Sequence, residues 1–422
     1  MKVFGLLRLR RFRAGFRLLI AVVLGSWVAA CATFDFQANQ SRKYIRENNP
    51  DQVLSQLKER AWKESDDQLV YLFDYGMAAQ IAGKYEESNR ALLLADQLSE
   101  VKDYHSLSRI SGSLLLNEGM VQYKGEDYEK VILNAILALN FLMLNDHDAA
   151  LVETRKLNQK LYKYKFEAKK DYEQNPFAYY LAAMIWESDR KWDDAYIDYK
   201  KTYELNPDFA YLKEDLIRLA QLSNREDELK KWRKSFPDIK VKSEWKDKAY
   251  GEIVFIFQQG WSPQKRPDPA SPRMPRLFPL HSLTQQALIS LEGGPEEKTR
   301  TIYSLEATAL KTLGDQYAAL AAKRVAGIAA KAVMADQIRQ KNSALGDLAW
   351  IGMNLMDRAD TRQWSTLPET FQVARLWVKA GNYKVKLAGL TSSGVNSGEA
   401  HAPIEVIVKP GQKSFLTWRS VR

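Results

Sequence analysis

Chemistry in this 422-residue chain would have to come from one cysteine, four histidines, its many carboxylates and one short run of alternating charges. Cys31 is the only cysteine, so no internal disulfide can form. His105, His147, His281 and His401 are scattered. None has a second histidine four residues on or a cysteine partner. Gly293-Gly294-Pro295 lacks the Lys-Ser/Thr that would complete a phosphate-cradling loop. Spacing singles out no carboxylate pair as acid and base. The densest polar group is Asp357, Arg358, Asp360, Arg362 and Trp364. It reads as an ion-paired helix terminus entering a β-strand, in preference to a ligand site. These residues predict no metal site, no cofactor and no catalytic group.

Cys31 closes a leader. Lys2, Arg8, Arg10, Arg11, Arg13 and Arg17 precede an apolar run from Leu18 to Ala30, with no acid among them. That run falls short of the about 20 apolar residues of a spanning helix, and the layout is that of an export signal. Cleavage at Ala30-Cys31-Ala32 would fit an ordinary signal and leave a free protein. Val28-Ala29-Ala30-Cys31 resembles the lipobox of bacterial lipoprotein precursors. The resemblance implies that the Cys31 thiol takes a diacylglycerol and becomes the mature N-terminus, with acyl chains such as palmitate as the anchor. Each buried CH₂ contributes about 0.8 kcal/mol, so two or three chains hold durably. Ala32 in place of Asp implies, by the sorting rule of Gram-negative lipoproteins, an outer-membrane, periplasm-facing location. Once Cys31 is acylated, a Cys–His nucleophile is excluded.

Formal charge is +10, but removing the six leader cations from 62 Lys+Arg leaves 56 against 52 Asp+Glu, or +4. No general affinity for nucleic acid follows.

From about residue 66 to 236 apolar periodicity of helix length alternates with breaks at Gly83-Lys84, Gly125-Glu126-Asp127 and Asn145-Asp146. Two stretches resemble tetratricopeptide repeats. The first carries Leu72, Gly76, Gly83, Tyr85, Ser88, Leu92 and Ala95. The second carries Tyr179, Ala183, Trp186, Trp192, Ala195, Tyr199 and Pro207. Small residues let paired helices approach, aromatics fill the space between repeats, and the proline stops the second helix. One repeat cannot bury its apolar face alone, so four or five pairs should stack. The helix expected from Leu151 to Tyr172 is too long for this register.

The family register implies a concave face holding Val70, Phe73 and Met77, then Phe177, Tyr180 and Met184. Members that clamp a peptide carboxylate have Lys and Asn at these positions, so the apolar residues here argue against that binding mode. Phe73, Met77, Phe177, Tyr180 and Met184 are the expected partner-binding residues, suited to an amphipathic helix or apolar strand. The competing expectation is a groove filled by the overlong helix or by the second domain.

Beyond residue 250, Ile253 to Phe257 reads as a strand buried on both faces. Trp261 to Pro279 holds six of fourteen prolines and reads as an extended surface segment, a solvated crossover in preference to a partner-binding arm. Thr284 to Leu291 adds a strand. Ala318, Ala322, Ala326 and Ala330, with Gly327 nearby, predict tight packing onto a second helix from Leu345 to Met356. Phe371–Lys379, Tyr383–Leu390, Pro403–Val408 and Ser414–Arg419 read as strands of a small antiparallel sheet.

The lipobox, the repeats, the Gly-Glu-Ile-Val-Phe strand, the Ala-rich helix and Ala359-Asp360-Thr361-Arg362-Gln363-Trp364-Ser365-Thr366-Leu367-Pro368 are together similar to an uncharacterised family of bacterial tetratricopeptide-repeat lipoproteins. The expected fold is α+β, an N-terminal α-solenoid over 66–236 followed by a C-terminal α+β domain over 250–422, after a signal over 1–30 and an anchoring linker with a first helix over 31–65. The expected function is a lipid-anchored envelope scaffold that grips a protein partner in its repeat groove, in envelope assembly or in regulating peptidoglycan synthesis. The alternative is an enzyme acting on cell-wall glycan or peptide through acids of the C-terminal domain.

Overall fold

The computed structural model describes residues 34–104, 122–167, 175–245, 247, 249–355 and 358–422, so Cys31 and Asp357 lie outside the described residues. Five turns organise the helical half. Asn48, Gly83, Asn145, Arg190 and Asn224 all take left-handed backbone, with φ of 57°, 72°, 58°, 58° and 54°. In each turn the next residue's N–H reaches back five residues, from Asn49 to Tyr44 O, Lys84 to Ala79 O, Asp146 to Phe141 O, Lys191 to Trp186 O and Arg225 to Ala220 O, every bond 2.9 Å. This closure satisfies otherwise orphaned helix-end carbonyls and turns the chain back on itself.

The turns pair α1 (34–46) with α2 (Pro50–Trp62), α3 (Gln68–Ile81) with α4 (Tyr85–Tyr104), α5 (Asp127–Met143) with α6 (His147–Tyr162), α7 (Pro176–Ser188) with α8 (Trp192–Leu205), and α9 (Leu212–Leu222) with α10 (Glu226–Ser235). Helical repeats therefore begin before residue 66, and Phe34, Ala38 and Ile45 join their core. Asp146 and Asn175 cap the N-termini of α6 and α7 by accepting from Ala149 and Ala178 N–H. Gly76 permits close approach within its pair, because a Cβ there would stand 2.5 Å from Leu92 Cδ2. The helix expected to run to Tyr172 leaves α geometry after Tyr162, in a π-turn over Lys163–Glu167, and its expected end at Tyr172 lies outside the described residues.

The second half is larger than one small antiparallel sheet. Ten strands follow: β1 (Tyr250–Gln259), β2 (Trp261–Asp268), β3 (Ser271–Leu280), β4 (Gln286–Leu291), β5 (Glu296–Lys298), β6 (Arg300–Ser304), β7 (Thr370–Lys379), β8 (Gly381–Leu390), β9 (Asn396–Val408) and β10 (Lys413–Arg419). They form one sheet ordered β10-β1-β7-β6, a second ordered β5-β4-β8-β9, and the ribbon β2-β3. β1 pairs parallel with β10 and antiparallel with β7. Its alternation explains its apolar run. Ile253, Phe255 and Phe257 face the second sheet, meeting Ile289, Val385 and Val406, while Val254 and Ile256 belong to the core shared with the helices.

The proline-rich stretch is a β-ribbon, not a structureless crossover. A two-stranded ribbon has two outer edges where missing N–H groups cost nothing, and Pro267 faces Pro275 across it. Between β6 and β7 stand α11 (Leu305–Lys341) and α12 (Ser343–Leu355). The 37 residues of α11 extend about 55 Å at 1.5 Å per residue. Its contact face carries Gly327, Lys331 and Ala335, whereas Ala318, Ala322 and Ala326 are exposed, so the expected packing stripe is corrected. Gly346 of α12 fixes the choice, since a Cβ there would lie 2.6 Å from the Arg339 backbone.

Candidate functional site

The first helices α3, α5 and α7 have a burden that single-sided packing cannot meet. Gln68–Gln80, Tyr128–Asn140 and Phe177–Glu187 are buried at every position, so both faces are covered. Their second helices cover one face. The other face is covered by the chain's own later residues: Trp364 lies over Phe73, Phe371 over Phe177, Arg375 at Tyr180 and Gln258 at Gln80.

Residues 362–368, leading into β7, lie along the repeats as a strap with a turn at Ser365 and Thr366. Trp364 stacks on Phe73 with ring centroids 4.4 Å apart and planes 8° from parallel, and Phe371 stacks on Phe177 at 4.3 Å. The repeats also read the strap's polar atoms. Asp74 accepts from Ser365 Oγ (2.7 Å), Thr366 N–H (3.1 Å) and Thr366 Oγ1 (2.8 Å). Glu129 accepts from Trp364 N–H at 2.7 Å and from Tyr123 Oη at 2.6 Å. Arg42 donates to Ser365 O, and Arg419 donates to Thr366 O and Leu367 O. Arg362 is held by Asp67 and Asp360, and Lys265 by Glu126. Within the polar cluster seen in the sequence, Asp360 and Arg362 are thus ion-paired and Trp364 is anchored where the strap begins.

The expected partner-binding residues are accordingly corrected as an open surface. Phe73, Met77, Phe177, Tyr180 and Met184 are all fully buried. The reason is apolar area. A row of such side chains left in water would forgo about 1.5–3 kcal/mol each, and the strap and sheet supply the cover.

Beneath α7 and α9 the contact becomes ionic. Arg375 of β7 bonds Asp215 of α9 at 2.7 Å, the Tyr180 hydroxyl at 2.8 Å and Glu252 of β1. Arg218 bridges Asp215 (2.6 Å) and Glu187, Tyr199 Oη donates to Glu187 at 2.7 Å, and Lys413 of β10 joins Glu187 (3.2 Å) to Glu252. Three carboxylates thus meet three cations, all buried. Burial alone would push Glu187 and Glu252 up, but the adjacent Arg218, Lys413 and Arg375 outweigh it and hold both carboxyls below the usual range. The opposite holds at the strap. Burial raises Asp74 to about 6 and Glu129 to about 7, against the hydrogen bonds each accepts.

The sequence reading missed Asp74, Glu129, Glu187, Asp215, Glu252, Arg375 and Lys413. The available signal was a charge inside an apolar run, as in Leu72-Phe73-Asp74-Tyr75 or Ala374-Arg375-Leu376. Among the described residues, no three His, Cys, Asp or Glu side chains converge as a metal site, and no helix is long and apolar enough to cross a membrane.

No family model and no curated protein matches this chain. Among solved structures it is similar to MamA from Desulfovibrio magneticus RS-1, at 17% identity and TM-score 0.31 over 48% of this chain and 90% of that one. It is also similar to MamA AMB-1, at 12% identity and TM-score 0.30 over 49% and 93%, and to TPR-like repeats of a Podosopora anserina kinesin light chain, at 10% identity and TM-score 0.32 over 49% and 93%.

Proposed function

We propose that this protein is a lipid-anchored, periplasm-facing scaffold of a bacterial outer membrane, non-enzymatic, that meets its protein partner through the hairpin α11–α12 and not through the repeat groove. The observation carrying this reading is where apolar surface is left uncovered. The groove is filled, whereas the hairpin exposes Val325 (68%), Val333 (59%), Leu345 (52%), Leu348 (58%) and Ile351 (52%). An apolar helix or strand face of an envelope protein is the partner such a surface fits. Helping assemble an envelope machine or regulating peptidoglycan synthesis are tasks suited to such an anchored scaffold.

The titratable groups support a non-enzymatic reading over a glycan- or peptide-cleaving one. The raised carboxyls Asp74 and Glu129 are occupied by the strap, and Asp198, raised to about 7 by burial, is bonded to Asn158 and Trp186 inside the repeats. None of these faces a cleft as a proton donor should.

A photo-crosslinking residue at Leu348 should capture a partner in cells, and one at Tyr180 should capture none. Replacing Leu348 and Ile351 together with Asp should abolish capture without lowering the melting temperature. No adduct from position 348, or an adduct from position 180, would contradict the proposal. The anchor has its own test: Cys31→Ser should leave the precursor unacylated and uncleaved by the lipoprotein peptidase. Wild-type processing and membrane retention would reject it.

A further inference from the structure

A cavity of about 630 Å³ opens beside the buried ion network, between the α7–α8 turn, the approach to β1 and the β9–β10 turn. Its size lies within the range of about 300–1,000 Å³ typical of small-molecule sites. Four half-buried aromatic rings line it, Trp192, Trp245, Tyr250 and Trp377. Its floor is made of Glu187, Arg218, Glu252 and Lys413 from the network, with Trp377 resting against both cations at 5.7 and 5.8 Å.

Two features mark the cavity as built. Gly251 brings β1 against the β9–β10 turn, where a Cβ would stand 2.6 Å from Lys409 O, and Gly411 N–H closes onto Tyr250 O at 2.7 Å. The second is Arg190. The other four inter-helix turns place Gly or Asn at the left-handed position, and only the turn that lines this cavity places Arg there. A long side chain rarely takes that backbone, so its presence asks for a reason other than turn geometry.

The lining restricts what fits. The floor charges already neutralise one another, and the remaining charged lining residues, Arg190 against Glu244 and Asp247, are mixed in sign, so no single-sign field awaits a charged ligand. A wholly apolar ligand would cut the edges of four ionic groups off from water without replacing it. What remains is a neutral molecule with apolar faces for the indoles and hydroxyls that both donate to carboxylates and accept from cations. We infer that this cavity is a binding site for a neutral oligosaccharide, with pyranose faces against the aromatic rings and hydroxyls on the charged floor. It binds without cleaving, because Glu187 and Glu252 are clamped as carboxylates and glycoside hydrolysis needs an acid that keeps its proton near neutral pH.

Chitotetraose, cellotetraose and maltotetraose, titrated calorimetrically into the full chain in detergent, test this. At least one should bind saturably with a Kd of about 1 mM or tighter. Trp245→Ala should weaken that binding about tenfold or more. Arg190→Gly should weaken it too while leaving the melting temperature unchanged or higher, which separates loss of a ligand contact from loss of fold. Saturation by none of the three sugars would overturn the inference, and so would sugar binding unchanged in both variants.

Discussion

Replacing Arg375 with Met is expected to lower stability by about 3–5 kcal/mol, the cost of removing one partner from a buried ion network. Asp215 and Glu252 would keep their burial and lose their shared cation, leaving three buried acids with two bases. Adding Glu252→Gln should recover part of the loss, because the second change removes a charge the first left unpaired. Urea unfolding of the two variants measures both terms. A loss under about 1 kcal/mol, or strictly additive losses, would show that the network does not join the halves.

Trp364→Ala is expected to cost a similar amount, about 3–5 kcal/mol, as an aromatic side chain removed from a packed core. The same contact makes stability depend on pH. Asp74 and Glu129 hold protons to about pH 6 and 7 in the folded protein, whereas in the unfolded chain they release them near about pH 4. The folded state therefore binds more protons across that window, and stability falls as pH rises from about 4 to 7. Glu187, Glu252 and Asp360 act oppositely. Burial raises each, their Arg and Lys partners outweigh it, and the stability they contribute is lost as pH falls below about 4.5. Maximum stability near pH 5 is the expected result. An Asp74→Asn, Glu129→Gln variant should lose most of the fall between pH 5 and 7, the remainder belonging to Asp198, which burial raises to about 7. An unchanged slope in that variant would assign the pH dependence elsewhere.

Several of these elements were legible in the sequence, for physical reasons that differ from case to case. Gly83 and Asn145 marked turns because left-handed backbone selects for them, while Arg190 broke that rule and hid its turn. Gly76 opposite Leu92 was readable as close helix approach. Ile253–Phe257 announced a strand buried on both faces because both neighbouring layers are apolar. Periodicity could say that Phe73 and Tyr180 face inward. It could not say what covers them, since the cover lies 291 residues away in the pair Trp364 and Phe73. The α11 stripe misled for a related reason. Its residues are small on more than one face, and Gly346 of the neighbouring helix, not the stripe, selects the contact. The proline count correctly opposed a central strand but was silent on an edge-only ribbon.

The repeat groove grips the chain's own strap, and hydrogen–deuterium exchange of residues 362–368 is the decisive measurement. Trp364 N–H is bonded to Glu129 and Thr366 N–H to Asp74, both buried. Peptides spanning them should exchange as slowly as those of α3 and α5, through global unfolding alone. Exchange as fast as in the exposed turn over 391–395 would contradict an occupied groove and return Phe73, the residue under Trp364, to the role of an open binding surface.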